Sequence, residues 1–269
     1  MNWVPPGPAW LFCPADRPER YEKAAARADV VIIDIEDAVG VADKAAARES
    51  VIATPLDPSR TIVRVNAHGT DDQAADLEAL NKTEYTTVML PKCESAEQIT
   101  ALARWNVVAL IESPLGAMTV FEALAADNAI GAMWGAEDLV AAMGGNSSRH
   151  ASGEYHAVAQ HVRSQTLLAA KARGLFALDS VFLDIPDLDG VRTEAEDAVA
   201  VGFDGKVSVH PSHIPVIRDA YTPSGEDLEW ATAVLEAVAH NRGVFTFRGQ
   251  MVDAPVLAHA RRIVARRPA

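Results

Sequence analysis

Two acids, Glu112 and Asp138, sit where chemistry is easiest to build. Glu112 stops the apolar run Val107-Val108-Ala109-Leu110-Ile111, and Asp138 follows the run Ile130-Gly131-Ala132-Met133-Trp134, which breaks at Gly135. A helical stretch from Leu115 to Ala126 separates them, so the segment reads as strand–helix–strand with parallel strands. The acids are 138 − 112 = 26 residues apart, which puts each just past the carboxyl end of its strand. In a parallel sheet those ends lie side by side on one face. Two carboxylates held that close either shift one another's protonation or share a cation. Mg²⁺ commonly takes one or two carboxylates together with water and substrate oxygens, and Glu112 with Asp138 matches that requirement. Either acid alone could simply satisfy a neighbouring loop; the pair in register points to function.

Other polar residues fall at comparable places: Asp16 with Arg17, then Asp34, Glu36 and Asp37, then Arg64 with Asn66, then Lys92, Glu137, Asp184 and His210. Acids dominate, with an arginine and a lysine among them. That mixture suits a hard divalent cation, with the cationic side chains left to polarise a substrate. Arg64 lies inside Thr61-Ile62-Val63-Arg64-Val65-Asn66, where it must be paired if buried. It is either a structural ion pair or a fixed cation for a developing enolate or carboxylate. Lys92, after Pro91, is either a similar cation or a solvated turn residue. Asp34, Glu36 and Asp37 read as groups that bind metal water or as partners of barrel arginines. His210, before Pro211, reads as a positioned loop histidine, and no other histidine has metal-ligand spacing.

The elements that must position these residues recur along the chain. Strands are expected at Ala9–Cys13, Val30–Ile33, Thr61–Asn66 and Thr87–Leu90, then at the pair already described, then at Leu178–Leu183 and Lys206–Val209. Alanine-rich amphipathic helices separate them, and a polar insert, Gly144 to Gly153, precedes a helix predicted over Tyr155 to Arg173. Eight short strands alternating with helices predict an α/β fold, a (β/α)8 TIM barrel, and about 250 residues is its usual length. No glycine-rich phosphate fingerprint follows a strand, which argues against a dinucleotide-binding doubly wound sheet. The expected division is a catalytic barrel over 1–220 and a C-terminal helical extension over 221–269. The extension's helices are predicted at Glu226–His240 and Pro255–Arg267, packing on the barrel or on a neighbouring subunit.

The 269 residues carry a formal net charge of −13, which repels phosphate backbones and anionic membranes. Neither nucleic acid nor a membrane is therefore an expected partner, and an anionic ligand needs a local cation. Two cysteines, Cys13 and Cys93, form no metal or disulfide pattern and read as apolar fillers in a reducing compartment. No segment reaches the roughly 18 continuous apolar residues that span a bilayer. A cytoplasmic location is the expectation.

In order along the chain stand Phe12-Cys13-Pro14-Ala15-Asp16-Arg17, Asp34-Ile35-Glu36-Asp37-Ala38, Arg64-Val65-Asn66, Leu90-Pro91-Lys92, Ile111-Glu112-Ser113, Trp134-Gly135-Ala136-Glu137-Asp138-Leu139 and Ser208-Val209-His210-Pro211. This series resembles the motifs of the citrate lyase β-subunit-like family, which includes malyl-CoA, citramalyl-CoA and related β-hydroxyacyl-CoA lyases. The resemblance implies a Mg²⁺-dependent barrel that makes or breaks a carbon–carbon bond next to a thioester. It implies Mg²⁺ on Glu112 and Asp138, substrate oxygens on Arg64, and coenzyme A contacts around Arg17 and Arg20; Asn66 and Lys92, from their strand-end positions, are further substrate-binding candidates. It also implies a homo-oligomer, a trimer or a multiple of one. Gly249-Gln250-Met251-Val252-Asp253 resembles a tail motif that carries an acid, here Asp253, into the adjacent subunit's site. Gln250 departs from that motif, where a charged residue is common.

The expected activity is cleavage or condensation of an acyl-CoA thioester such as malyl-, citramalyl- or 3-hydroxy-3-methylglutaryl-CoA through an enolate, with a small oxo acid as the other partner. Two alternatives stay open. One is a metal-dependent aldolase on free 2-oxo acids, and the other is a citrate lyase β subunit acting only in a complex with an acyl carrier protein.

Overall fold

The structure, a computed structural model, describes residues 3–238, 241 and 243–267. Eight strands pair in parallel, each with its sequence neighbour: β1 (Ala9–Pro14), β2 (Val30–Asp34), β3 (Thr61–Arg64), β4 (Thr87–Leu90), β5 (Asn106–Ile111), β6 (Ala129–Trp134), β7 (Phe176–Asp179) and β8 (Gly205–Ser208). The sheet closes where Trp10 of β1 pairs with Val207 of β8, so the predicted barrel is what forms. Between the strands run α1 (Tyr21–Ala25), α2 (Lys44–Ala53), α3 (Asp71–Leu80), α4 (Ala96–Thr100), α5 (Pro114–Ala123), α6 (Ala136–Ala142), α7 (Ala157–Ala172) and α8 (Leu188–Val201). Serine or threonine caps start three of them: Thr70, Ser95 and Ser113 accept from the amides of Gln73, Gln98 and Gly116.

Strand side chains alternate between two faces. One face of each strand fills the barrel with Trp10, Val30, Ile32, Ile62, Met89, Val108, Leu110, Met133, Leu178 and Val207, all buried. The other face, including Val31, Ile33 and Val63, is buried beneath the surrounding helices. Strands buried on both faces read as continuous apolar runs, which is why they stand out in the sequence.

The chain divides into two compact units, Met1–Ile217 and Arg218–Ala269. The second contains α10 (Gly225–Val238), a hairpin of β9 (Phe245–Phe247) and β10 (Gln250–Val252), and α11 (Ala254–Ala265). A helix, α9 (Ile214–Tyr221), runs across the division. The second unit has its own small core of Ala231, Val234, Val252, Ala260 and Ile263. The hairpin was not expected from the sequence. Its two-residue turn, Arg248-Gly249, takes positive φ at both positions (47° and 81°), as a turn matched to strand twist requires. The end of the predicted helix at His240 lies outside the described residues.

β3 stops at Arg64, short of the expected Asn66, and the largest departure from expectation is in β7. β7 spans Phe176–Asp179, not Leu178–Leu183. The apolar residues Val181 and Leu183 belong to the loop rim, where they line a cavity instead of pairing with β6 or β8. No helix among the described residues is long and apolar enough to cross a membrane.

Candidate active site

The barrel's alternation decides what lies at its carboxyl end. Two residues beyond Trp10, Ile32, Ile62, Leu110, Met133, Leu178 and Val207 come Phe12, Asp34, Arg64, Glu112, Gly135, Ser180 and Val209. All seven line a cavity of about 420 Å³, together with Asp37, Glu137, Asp138, Val181 and Leu183. Five acids and one arginine face this space, so its field is negative and an anionic substrate needs an added cation.

Arg64 is buried and fixed from two sides. Its Nε and Nη2 donate to the two oxygens of Asp34 at 2.8 and 2.6 Å, the bidentate geometry that locks a guanidinium plane. Glu36 Oε2 lies 3.0 Å from Nη1 but accepts no hydrogen bond. The guanidinium also stacks on the Phe12 ring, 4.8 Å from its centroid. Arg64 is thus both an ion pair and a cation presented to the cavity, and the two readings of the sequence are not exclusive. Burial weakens its hold on the proton, but Asp34, Glu36 and Glu112 outweigh that and raise its pKa.

Glu112 is 3% exposed, and among the described residues its carboxylate accepts one hydrogen bond, from the Lys92 amide to Oε1 at 3.0 Å. Burial first, and the neighbouring Asp138 second, push its carboxyl from the ordinary 4.5 to about 8. A Cβ on Gly135 would lie 2.8 Å from Glu112 Oε2, so the glycine leaves that carboxylate its place. Asp138, in the first turn of α6, is 41% exposed, with Oδ1 3.7 Å from Lys92 Nζ. A buried carboxylate and an exposed one in a shared negative cavity fit a hard divalent cation that completes its shell with water and substrate oxygens. Among the described residues no group of three or more acids, histidines or cysteines could hold a metal by itself.

The other candidates fall in different places. Lys92 Nζ contacts Glu36 at 2.5 Å, with Asp37 3.8 Å away. Asn66 is buried and does not line the cavity: its Oδ1 accepts from Lys44 Nζ and its Nδ2 donates to Asp76. Arg17 and Arg20 stand exposed on the β1–α1 connection, loosely facing Asp16 and Glu19 at 3.8 and 3.9 Å. Asp184 is exposed on the loop after β7 and lines nothing here; Ser180 takes that position. His210 caps a short 3-10 turn, its Nδ1 2.7 Å from Ser212 Oγ. Asp253 N-caps α11, accepting from the Val256 amide at 3.2 Å. Glu137 accepts from Ser148 Oγ at 2.6 Å, which ties the polar insert to the cavity.

Three features escaped the sequence reading. Lys92 adopts φ = 50°, a left-handed conformation that no spacing rule announces. Glu36, read as a partner of barrel arginines, also takes Lys92. Gly135 makes room for Glu112, and its position directly after a strand was the available signal.

Against known proteins, a sequence profile described as HpcH/HpaI aldolase/citrate lyase matches residues 9–211. A citrate lyase subunit beta-like protein of Mycobacterium tuberculosis is 60% identical over 266 residues, spanning 99% of this chain and 97% of that one. The mitochondrial citramalyl-CoA lyase of Homo sapiens is 29% identical over 96% of this chain and 85% of its own. A crystal structure of the Mycobacterium tuberculosis protein CitE, in complex with magnesium, acetoacetate and coenzyme A, superposes with a TM-score of 0.93 at 61% identity, covering 97% of both chains.

Proposed function

The chain belongs to the HpcH/HpaI aldolase/citrate lyase family, and on that premise we propose that it is a Mg²⁺-dependent carbon–carbon lyase acting on a β-hydroxyacyl-CoA thioester. The observation that carries this reading is the carboxylate pair Glu112 and Asp138 beside a locked Arg64 in one negative cavity. The magnesium, acetoacetate and coenzyme A held by the M. tuberculosis relative support it.

Glu112 and Asp138 would hold Mg²⁺. When bound, the ion supplies positive charge to the carbonyl and carboxylate oxygens of the oxo-acid fragment. In the cleavage direction the substrate hydroxyl loses its proton and the carbon–carbon bond breaks. The bonding pair passes to the thioester carbon as an enolate, which is then protonated on carbon. Among the described residues Arg64 Nη1 makes no hydrogen bond and is only ion-paired with Glu36 Oε2 at 3.0 Å, so its N–H groups are the donors left to meet the developing oxyanion. Lys92, held against Glu36 beside the cavity, adds positive charge for the departing carboxylate from a distance, and Phe12, Leu110 and Met133 keep water from the reacting carbon. Arg17 and Arg20, exposed and weakly paired, receive the phosphates of coenzyme A. Asp253 of an adjacent subunit moves the proton. We read the protein as a cytoplasmic homo-oligomer, a trimer or a multiple; two buried free cysteines support the reducing compartment.

The test is a cleavage screen of the purified protein with Mg²⁺ against malyl-, citramalyl-, citryl- and 3-hydroxy-3-methylglutaryl-CoA. A thioester product from the isolated chain supports the reading. Activity only on free 2-oxo acids overturns it in favour of an aldolase, and activity only on an acyl carrier protein overturns it in favour of an obligate subunit.

A further inference from the structure

Two cations stand near the carboxylate pair, yet among the described residues neither forms a salt bridge with Glu112. Arg64 spends Nε and Nη2 on Asp34. Lys92 gives its ammonium to Glu36 Oε1 at 2.5 Å, while Asp138 Oδ1 is 3.7 Å from the same nitrogen. Glu36 sits between the two, with Oε2 3.0 Å from Arg64 Nη1. Its side chain is 6% exposed, whereas Asp37, on the same loop, is 55% exposed and lies farther from both cations.

Charge neutrality does not require this acid. The bidentate Asp34 already pairs the buried guanidinium, and Lys92, 38% exposed, could remain in water. A buried carboxylate is costly unless its position matters, and burial is the leading cause that raises the Glu36 pKa. Without Glu36, the acids left within reach of the Lys92 ammonium are Asp138 at 3.7 Å and Asp37 at 3.8 Å, and of these Asp138, beside the buried Glu112, belongs to the more concentrated negative charge. Its own backbone amide already binds Glu112, so the side chain cannot leave that neighbourhood.

The geometry points to Glu36 as a positioning residue: by pairing with Lys92 and Arg64 on its two oxygens, it keeps both cations off Glu112 and holds Lys92 to a loose 3.7 Å approach to Asp138, which leaves that pair open for a divalent ion. The inference rests on Glu112 and Asp138 being the Mg²⁺ ligands. Glu36 itself touches neither the ion nor the substrate.

Calorimetric titration of Mg²⁺ into the full chain tests it, using wild type, E36Q, K92M and the E36Q/K92M double variant. E36Q should bind Mg²⁺ more weakly, by on the order of 10–100-fold, as loss of an outer partner of metal ligands does. The double variant should recover most of that loss, because the ammonium that collapses onto Asp138 is gone. A purely structural Glu36 gives no such rescue. E36Q with wild-type affinity, or a double variant no better than E36Q, overturns the inference while leaving the metal site standing. Should E36Q fail to fold, K92M decides: binding at least as tight as wild type supports the inference, and weaker binding overturns it. A wild-type chain that binds no Mg²⁺ overturns the metal reading and this inference together.

Discussion

Lys92 donates a hydrogen bond to the Glu112 carboxylate from an amide that a left-handed backbone (φ = 50°) turns toward Oε1 at 3.0 Å. Side chains with a Cβ resist that conformation, and glycine does not. K92G and K92A both lose the ammonium and differ only in backbone freedom. K92G should therefore be the more stable of the two by about 1 kcal/mol, read from urea midpoints. Equal midpoints would mean that the backbone is not held this way in solution.

The metal-free protein should lose stability as pH rises. An unfolded Glu112 gives up its proton near its ordinary 4.5, whereas the folded one keeps it to about 8. Across that window the unfolded chain binds fewer protons, so unfolding becomes easier with increasing pH. Denaturation midpoints in chelator, from about pH 5 to about pH 9, should fall and then level off. E112Q should flatten the curve, and saturating Mg²⁺ should reduce the slope in wild type. A wild-type curve identical to that of E112Q would show that Glu112 is not the buried acid responsible.

Arg64 should not be replaceable by lysine. Asp34 accepts from Nε and Nη2 together, and an ammonium cannot reproduce that fork. Loss of one preorganised donor typically costs two to three decades in rate, roughly 2.7–4 kcal/mol. R64K should lose about that much in kcat for thioester cleavage while Mg²⁺ affinity changes little. Retention of most of the wild-type rate would leave Arg64 as a structural ion pair alone.

Asp253 caps α11 with its carboxylate, which by itself explains an acid there. Shared sites make a further demand. D253A and E112Q proteins, each inactive alone, should regain part of the activity when mixed under conditions of subunit exchange. D253N, which keeps a capping oxygen, should be as inactive as D253A. Mixed oligomers that form and stay inactive, or a fully active D253A, would restrict Asp253 to capping.

Much of the site is legible in the linear chain because strand alternation is local. Asp34, Arg64 and Glu112 each stand two residues beyond a core side chain, so they had to emerge at the barrel's carboxyl end facing inward. Asp138 follows from the first turn after β6, with Gly135 leaving room for its neighbour. The family motifs are the same fact read another way, since they fall where strands stop.

Pairing was not legible, because it depends on which side chains meet across strands distant in sequence. Nothing local says that Glu36 will take both Arg64 and Lys92, or that Asn66 will be consumed by Lys44 and Asp76. Lys206 reads as one more strand residue, yet it is 1% exposed outside the barrel wall. Its ammonium is held there by Asp179 Oδ2 at 3.0 Å, the Ser180 carbonyl at 2.7 Å and Glu194 Oε2 at 3.0 Å. Burial alone would push the Asp179 carboxyl up, but Lys206 and Arg163 hold it below the ordinary range. The sequence by itself determined the barrel, its strand-end acids and the sign of its field, since hydrophobic period and residue type act at short range. Only the tertiary structure decided which acids are paired closely with protein cations and which are not, because that choice is made by distances of a few ångströms between residues that the chain keeps far apart.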